Sequence, residues 1–348
     1  MSSVTKTRFV ELDIARSIAI LIMIVANAAP ALLEEESAHP IFRLICSLAA
    51  PLFIFISGLT FRVNIDNNKS GLLKNALYLL ASAAFVDLFV WRIVPFCTFD
   101  VLYLIAFSQI ITFFIFKLSP NLRVVTFYVL AIVFLVVQQL FSYRFEITDS
   151  SISDIIVSKG PFYSIQSSFK RLVFDGWFPI LPWSLLFLSG SLISYQRLND
   201  LFLEKKVTRF SVWILFICVF VLSCANISQD IRNGYMEVFY PFSGWIVVVA
   251  GFWIICALSF AKIFRENQVV INYMQLLGRK SLFVYVLHLT VISYLFSGQA
   301  KMSAIHFSLV SVLFVAVVWV IVYLLSSERY KLILNKFIPN FARKIIGV

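Results

Sequence analysis

Long apolar runs of about 20 residues, separated by short polar breaks, dominate this sequence. An α-helix needs a run of about this length to cross roughly 30 Å of hydrocarbon. The runs do not show the alternating ten-residue pattern that strands of a membrane β-barrel require. We therefore predict an all-α polytopic membrane protein. The composition agrees, because 61% of the residues are hydrophobic and only 14% are charged.

Ten of these runs qualify as membrane spans, and we expect them to form a single integral membrane domain over residues 1–348. The predicted spans, which we expect to surround a polar cavity, are 14–33, 41–63, 74–95, 98–117, 122–142, 173–195, 209–228, 240–263, 276–297 and 304–326. Two of these spans are weaker than the rest. The third carries Asp87 and Arg92, and the sixth carries Asp175 and two prolines.

The distribution of basic residues predicts the orientation. If the N-terminus is cytoplasmic, most of the 29 Lys and Arg residues fall in inner segments and in the C-terminal tail. Cytoplasmic segments of membrane proteins show this bias. We therefore predict a multi-pass protein of the cell (inner) membrane with both termini cytoplasmic. The net charge of +11 then follows from the placement of basic residues in cytoplasmic segments, so we expect the lipid bilayer and no nucleic acid as a partner.

A cleaved signal peptide is an alternative for the N-terminal segment. Lys6 and Arg8 precede the apolar stretch SIAILIMIV, and the following ANA resembles a small-residue cleavage site. Against this, Asp13 and Arg16 flank the apolar core closely. We therefore expect the segment to remain as the first span.

Polar residues share one face of the first span. At about 100° per residue, Arg16 and Asn27 differ in direction by only about 20°, and Asp13 lies one turn before Arg16. Polar groups inside a membrane helix are costly unless they face protein or water, so they mark functional sites by default. The alternative is structural: Asp13 and Arg16 pair to anchor the helix, and Asn27 bonds to a neighbouring helix.

The polar segment ANAAPALLEEESAHP joins the first two spans and brings His39 to the outer face in the predicted topology. The simplest interpretation is a solvated loop. A histidine at this place is also suited to accept a proton, since its unperturbed pKa lies near neutrality.

A second polar stripe lies in the ninth span, where Ser281, Tyr285 and His288 follow at helical spacing. A histidine this deep in a span is expected in a polar cavity or in a hydrogen bond between helices. Gly278, just before the stripe, permits close approach of another backbone. His306, at the outer end of the tenth span, has no polar companions, and we expect it to be structural.

Three basic residues lie at the inner ends of the motif-bearing spans: Arg62, Arg279 and Lys280. They are candidates for binding phosphate groups, although contact with lipid headgroups and the positive-inside bias is a strong alternative explanation. The five cysteines form no CxxC pair, so we expect neither a disulfide framework nor a metal site.

Several motifs together resemble the heparan-alpha-glucosaminide N-acetyltransferase family, which belongs to a superfamily of transmembrane acyltransferases. They are RFVELDIARSIAILIMIVAN, the loop containing His39, and APLFIFISG, followed by FDVLYLIAFSQ, FPILPWSLLFLSGSLI and LLGRKSLFVYVLH. The similarity runs from residue 8 to about 290. The sequence departs from the family pattern at Ser17, where the family has Gly, and at Ser47, where it has an acid.

The resemblance implies transfer of an acetyl group from cytosolic acetyl-CoA, the acyl donor, to an amine or hydroxyl of an extracytoplasmic sugar or glycan. His39 matches the family's active-site histidine, and Asn27 matches its asparagine in the first helix. We expect His39 and Asn27 to be catalytic, and Asp13, Arg16, Ser281, Tyr285 and His288 to bind substrate. Arg62, Arg279 and Lys280 would then bind the donor's phosphates, and no metal is expected.

Two other functions remain as alternatives. A transporter or flippase of a small polar or glycolipid substrate would share the polar stripes, but we see no internal repeat of the kind that many transporters carry. A structural membrane protein would leave the placement of His39 and His288 unexplained. The sequence also leaves open whether the protein forms a homodimer, which acceptor it uses, and whether transfer is direct or passes through an acetyl-histidine.

Overall fold

The computed structural model describes residues 9–66, 71–144, 169, 172–173, 177–225 and 244–326. Across these residues the chain consists of helices and connecting turns, with no β-strand. The α-helices are α1 (Val10–Leu32), α2 (Pro40–Ser47), α3 (Ala49–Asp66), α4 (Leu72–Phe85), α5 (Val101–Ile115), α6 (Pro120–Arg144), α7 (Ile180–Leu192), α8 (Tyr195–Leu198), α9 (Lys206–Ala225), α10 (Gly244–Phe264), α11 (Gln268–Val270), α12 (Leu276–Arg279), α13 (Ser281–Val291) and α14 (Ala304–Ser326). Short π-helical turns extend α4 (Val86–Trp91), α8 (Asn199–Leu203) and α13 (Ile292–Phe296), and another joins α11 to α12 (Ile271–Gln275).

The helices confirm the all-α, membrane-type fold. Among the described residues, six helical segments are long and apolar enough to cross a bilayer: Val10–Leu32, Pro40–Asp66, Leu72–Trp91, Lys206–Cys224, Val247–Phe264 and Ala304–Ser326. A seventh is a broken pair, Gln268–Arg279 and Ser281–Phe296, bent by 75°. Three shorter apolar helices, Val101–Ile115, Pro120–Phe134 and Ile180–Leu192, lie within the other predicted spans. Ten crossings, the cytoplasmic termini and a central polar cavity stay predictions, and the termini lie outside the described residues.

The chain divides into two compact units. The first, the α1 unit, comprises residues 1–53 and 202–348. The second, the α5 unit, comprises residues 54–201. The outer segment predicted between the fifth and sixth spans lies almost wholly outside the described residues.

In the α1 unit, α1 packs against α10, α12, α13 and α14. At its N-terminal end, Arg265 donates to Glu11 at 3.1 Å, a hydrogen bond that raises the pKa of the Arg265 guanidinium. Beyond its other end, Leu33 pairs with Met302, which lies in the segment that follows α13. Gly278 of α12 lies beside Asp13 and Arg16, near the N-terminal end of α1, and Met302 lies beside Leu32 at the other end. The first span and the broken ninth span therefore run in the same direction, as in the predicted topology.

In the α5 unit, α3 and α7 cross at two glycines. A Cβ atom on Gly58 would meet the Phe187 carbonyl oxygen, and one on Gly190 would meet the Phe55 carbonyl oxygen. Small residues allow this backbone contact between membrane helices. The motifs that contain Gly58 and Gly190 were singled out in the sequence, and the structure shows that each supplies one side of the crossing.

Asp87, the charge that weakened the prediction of the third span, is fully buried and hydrogen-bonded. Its carboxylate accepts from Thr98 Oγ1 at 2.7 Å, Tyr103 Oη at 2.8 Å and the Phe96 N–H at 2.9 Å. A buried acid is tolerated when its oxygens are satisfied in this way. Asp87 therefore stabilises the connection between α4 and α5, and its charge does not interrupt the third predicted span.

Candidate active site

The polar face of α1 lies along the segment that contains the break in the ninth span. Arg16 Nη1 lies 3.5 Å from Asp13 Oδ1 and donates to the Gly278 carbonyl at 3.3 Å. A Cβ atom on Gly278 would collide with the Asp13 carbonyl oxygen and lie 2.9 Å from Ser17 Oγ. The structure thus confirms the close backbone approach at Gly278, and it shows the Asp13–Arg16 pair that the structural alternative predicts.

Ser17, which stands where the family pattern has glycine, joins the same contact. Its hydroxyl donates to the Asp13 carbonyl at 3.0 Å and also contacts the Met274 carbonyl. Met274 lies in the π-helical turn between α11 and α12. The hydroxyl therefore connects α1 to the turn that precedes the break, a contact that glycine cannot make.

Asn27 and His288 meet between α1 and α13. Asn27 Nδ2 lies 3.0 Å from His288 Nε2, and His288 Nδ1 lies 2.8 Å from the Val284 carbonyl. A carbonyl only accepts, so Nδ1 carries the proton, and the lone pair on Nε2 accepts from the asparagine amide. Both hydrogen bonds of His288 are those of a neutral imidazole, in which one ring nitrogen donates and the other accepts. The prediction that His288 lies in a hydrogen bond between helices is confirmed.

The surroundings of this pair differ on its two sides. His288 is completely buried, and its ring packs edge-to-face on Tyr285 with the centroids 5.4 Å apart. Asn27 is only half-buried. An amide nitrogen carries two hydrogens, and His288 uses one of them. The second N–H of Asn27 therefore remains for another acceptor. Ser281, the third residue of this stripe, is half-buried at the start of α13.

His39 has a different environment. It is exposed and is the N-cap of α2, where its Nδ1 accepts from the Ile41 N–H at 3.3 Å. Two backbone bonds hold the preceding loop, from Glu34 N–H to the Met302 carbonyl at 3.1 Å and from Met302 N–H to the Leu32 carbonyl at 2.7 Å. The partner of Asn27 in the structure is His288, and the catalytic roles expected of Asn27 and His39 stay predictions.

A comparison with known protein families shows which family the chain belongs to. Residues 8–225 match the family model of the heparan-alpha-glucosaminide N-acetyltransferase catalytic domain. The match covers more than half of the 348 residues. The chain belongs to this heparan-alpha-glucosaminide N-acetyltransferase family. No curated protein sequence matches the chain.

Membership of the heparan-alpha-glucosaminide N-acetyltransferase family implies acetyltransferase activity. The matched residues include Asn27 and His39 but end before α12 and α13, so they do not include His288. The structure nevertheless connects the two parts, because Asn27 and His288 share a hydrogen bond. The predicted extension of the resemblance to about residue 290 stays a prediction.

One buried charge near His39 was not singled out from the sequence. Arg43 has 3% of its surface exposed and lies one turn after His39 in α2. The backbone N–H of Arg43 donates to the His39 carbonyl at 3.1 Å. The backbone carbonyl of Arg43 accepts at 2.8 Å from Ser47 Oγ. Ser47 stands where the family pattern has an acid. A basic residue on the predicted outer side runs against the positive-inside bias, and that was the available signal.

The three predicted phosphate-binding residues belong to different units of the chain. Arg62 belongs to the α5 unit, and its Nε donates to both carboxylate oxygens of Asp66 at 2.9 Å. Arg279 Nε lies 3.8 Å from Asp13 Oδ2, and Lys280 occupies the break itself. Among the described residues, no group of three or more His, Cys, Asp or Glu is placed to hold a metal ion.

Proposed function

We propose that this protein transfers an acetyl group from acetyl-CoA to an amine or hydroxyl of an extracytoplasmic sugar or glycan, as a multi-pass protein of the cell (inner) membrane. The family match supports acetyl transfer. The observation that carries the proposal is the Asn27–His288 pair, because it fixes an amide donor at the half-buried end of a polar face inside the α1 unit.

The reaction needs a base for the acceptor and a donor for the developing oxyanion. The acceptor nitrogen or oxygen attacks the thioester carbonyl carbon and releases its proton to His39. The second N–H of Asn27 stabilises the charge that develops on the carbonyl oxygen. The carbon–sulfur bond then breaks, and CoA leaves as the thiolate, which takes up a proton. We favour this direct transfer over a route through an acetyl-histidine.

His39 must give up its capping bond to act as this base. In the neutral ring, acceptance by Nδ1 of the Ile41 N–H places the proton on Nε2. Nδ1 is therefore the nitrogen with a lone pair, and it takes a proton only when the 3.3 Å cap bond breaks. A bond of this length is weak, so its loss costs little.

His288 acts by orienting Asn27. Its buried ring holds one amide hydrogen and thereby fixes the direction of the other. Tyr285 packs against the ring, and Ser281 lies one turn earlier on the same stripe. We propose that Tyr285 and Ser281 contact the substrate and that His288 acts on it only through Asn27. Asp13 and Arg16 hold the break against α1 at the donor end.

Arg279 and Lys280 are the donor-phosphate candidates that belong to the α1 unit. Both lie at the break between α12 and α13, beside the N-terminal part of α1. Phosphates bind well to basic side chains held in fixed positions. Arg62, the third predicted candidate, lies in the α5 unit, where its guanidinium contacts the Phe116 ring.

The test is an assay of the purified full chain with acetyl-CoA labelled in the acetyl group and a mixture of envelope glycans, including glucosamine-ended ones. We expect labelled glycan that mass spectrometry identifies as acetylated. Mild base then separates the two product classes, because it removes O-acetyl esters and leaves N-acetyl amides. His306→Ala is the matched control, since His306 is exposed and bonds to Ser303 at 3.0 Å. A folded protein that acetylates no glycan would contradict the proposal.

A further inference from the structure

A basic and aromatic cluster lies where α5 turns into α6, in the α5 unit. The guanidinium carbons of Arg62 and Arg123 lie 5.1 Å and 4.7 Å from the centre of the Phe116 ring. The ammonium of Lys117 lies 4.9 Å and 5.0 Å from the ring centres of Phe113 and Phe114. We name the Phe116 cluster after its centre; its members are Arg62, Phe113, Phe114, Phe116, Lys117 and Arg123.

Hydrogen bonds fix the two guanidinium groups. Arg123 donates from Nε to the Leu118 carbonyl at 2.9 Å and from Nη2 to the Phe116 carbonyl at 2.8 Å. These carbonyls lie just after the C-terminal end of α5, where the helix offers them no partners. Arg62 donates from Nε to Asp66. The bonds leave Nη1 of Arg123 and both terminal nitrogens of Arg62 for other acceptors, in positions set before any ligand arrives.

The cluster carries more positive than negative charge. Within the part of the chain that the structure describes, Asp66 is the one carboxylate that pairs with its three cations, and it pairs with Arg62. Lys117 is exposed. Two of these cations, Arg62 and Arg123, share the Phe116 ring, and Lys117 is the next residue in the chain after Phe116. Neighbouring like charges repel one another, and a bound anion offsets that repulsion. This arrangement is complementary to a phosphate group.

An exposed apolar stripe begins beside the cluster and continues along α6. Its five side chains, spaced three or four residues apart, are strongly exposed: Leu122, Val125, Val129, Ile132 and Val136. In a membrane protein such a face contacts acyl chains. A ligand that uses both features has a phosphate at one end and hydrocarbon at the other.

We propose that the Phe116 cluster binds the headgroup phosphate of an anionic phospholipid, with the acyl chains along the α6 stripe. The cluster lies at the end of α3, α5 and α6 that the predicted topology assigns to the cytoplasmic side. Coenzyme A also carries phosphates, but its lack of acyl chains leaves the stripe unused. The assignment is independent of the acetyl-transfer reaction.

The test measures lipid binding by the full chain in detergent, using native mass spectrometry with phosphatidylglycerol or phosphatidylcholine. The wild type is expected to bind phosphatidylglycerol more tightly. Arg62→Gln with Lys117→Gln should lower that affinity roughly 25-fold, at about fivefold for each basic residue that faces an anionic lipid. Affinity for phosphatidylcholine should stay unchanged. Lys117→Gln alone, at an exposed position, should show the smaller loss without disturbing the fold.

The matched control is Lys205→Gln with Lys206→Gln, which removes the same charge from two exposed positions elsewhere. It should retain the preference for phosphatidylglycerol. Equal binding of the two lipids, or an equal loss in the control pair, would overturn the proposal. Displacement of bound phosphatidylglycerol by coenzyme A would assign the cluster to the donor and would overturn it as well.

Discussion

His39 and His288 occupy opposite kinds of environment in the α1 unit. His288 is completely buried, and both ring nitrogens are hydrogen-bonded within the helices. His39 is exposed, and the one hydrogen bond of its ring within the described structure is a capping bond of 3.3 Å. A buried polar group must keep its partners because no water replaces them, whereas an exposed one can exchange them.

This difference supports the separate tasks that we propose for the two histidines. A ring that keeps both bonds orients its neighbour, and a ring that can lose its bond can accept a proton. The fixed pair, Asn27 with His288, is therefore suited to oxyanion stabilisation, where donors placed in advance are most effective. The exposed ring is suited to proton transfer, which requires one nitrogen to change its state.

The largest expected effect comes from separating the two roles of His39 itself. His39→Asn keeps an N-cap of α2, since asparagine is a favoured capping residue, but removes the base. We expect turnover to fall roughly a hundred- to ten-thousandfold with thermal stability nearly unchanged. His39→Ala should lose the same activity and in addition about 0.5 kcal/mol of stability, the low end of the usual range for an N-cap, because the capping bond is long. Steady-state rates with acetyl-CoA and thermal unfolding of each variant are the measurements.

If His39→Asn kept wild-type turnover, His39 would be the N-cap of α2 and would not be the proposed base. The comparison between the two histidines would then lose its catalytic meaning. Burst kinetics add a second distinction, because an acetyl-histidine intermediate gives an early burst of free CoA and direct transfer does not.

The second effect tests the buried pair. Asn27→Ala should lower turnover about a hundred- to a thousandfold, with little change in affinity for acetyl-CoA. Its stability cost should be about 0.6–2 kcal/mol, the range found for hydrogen bonds between membrane helices, because His288 loses one donor. His288→Phe should slow turnover less than Asn27→Ala does, since the amide remains and only its orientation is lost. A larger loss in His288→Phe would show that the ring itself takes part in the reaction.

The fold was largely predictable because helix length and polarity follow directly from the sequence. Each of the ten predicted apolar segments contains a helix in the described residues, and the polar faces of the first and ninth spans meet as hydrogen-bonding requires. The 75° break before Ser281 was not predictable. Arg279 and Lys280 are typical of the end of a span, and nothing local shows that helix continues on their N-terminal side.

The site was predictable in part. Periodicity placed Arg16 and Asn27 on one face, and Gly278 indicated the close approach. The partner of Asn27 was not fixed, because residues far apart in the chain come together through packing that no single-sequence period contains. The burial of Arg43 was missed for the same reason.

The third prediction tests the Asn27–His288 pair through a substitution at Gly278 that does not alter the loop carrying His39. In Gly278→Ala, the added methyl meets the Asp13 backbone, so α1 and α12 must separate. We expect about 1–3 kcal/mol of destabilisation, the usual cost of overpacking, together with lower turnover as Asn27 loses its alignment. Thermal unfolding and turnover are the measurements. Gly251→Ala is the matched control, because a Cβ atom added there would meet nothing within 4 Å. Similar losses in both variants would rule out the specific role of the contact.

The smallest effect tests the loop that carries His39. Lys301 Nζ lies 3.2 Å from Glu35 Oε1, with both side chains about half exposed. Such pairs contribute about 0.2–1 kcal/mol and weaken with salt. We expect Glu35→Gln, Lys301→Gln and the double variant to give a coupling energy in this range at low salt, and none at high salt, when unfolding is measured in a double-mutant cycle. Turnover should stay close to wild type, because the backbone bonds between Leu32, Glu34 and Met302 still hold the loop. A large loss of turnover without a loss of stability would instead mean that the exposed ion pair, like the buried hydrogen bond of Asn27, sets the position of a catalytic group.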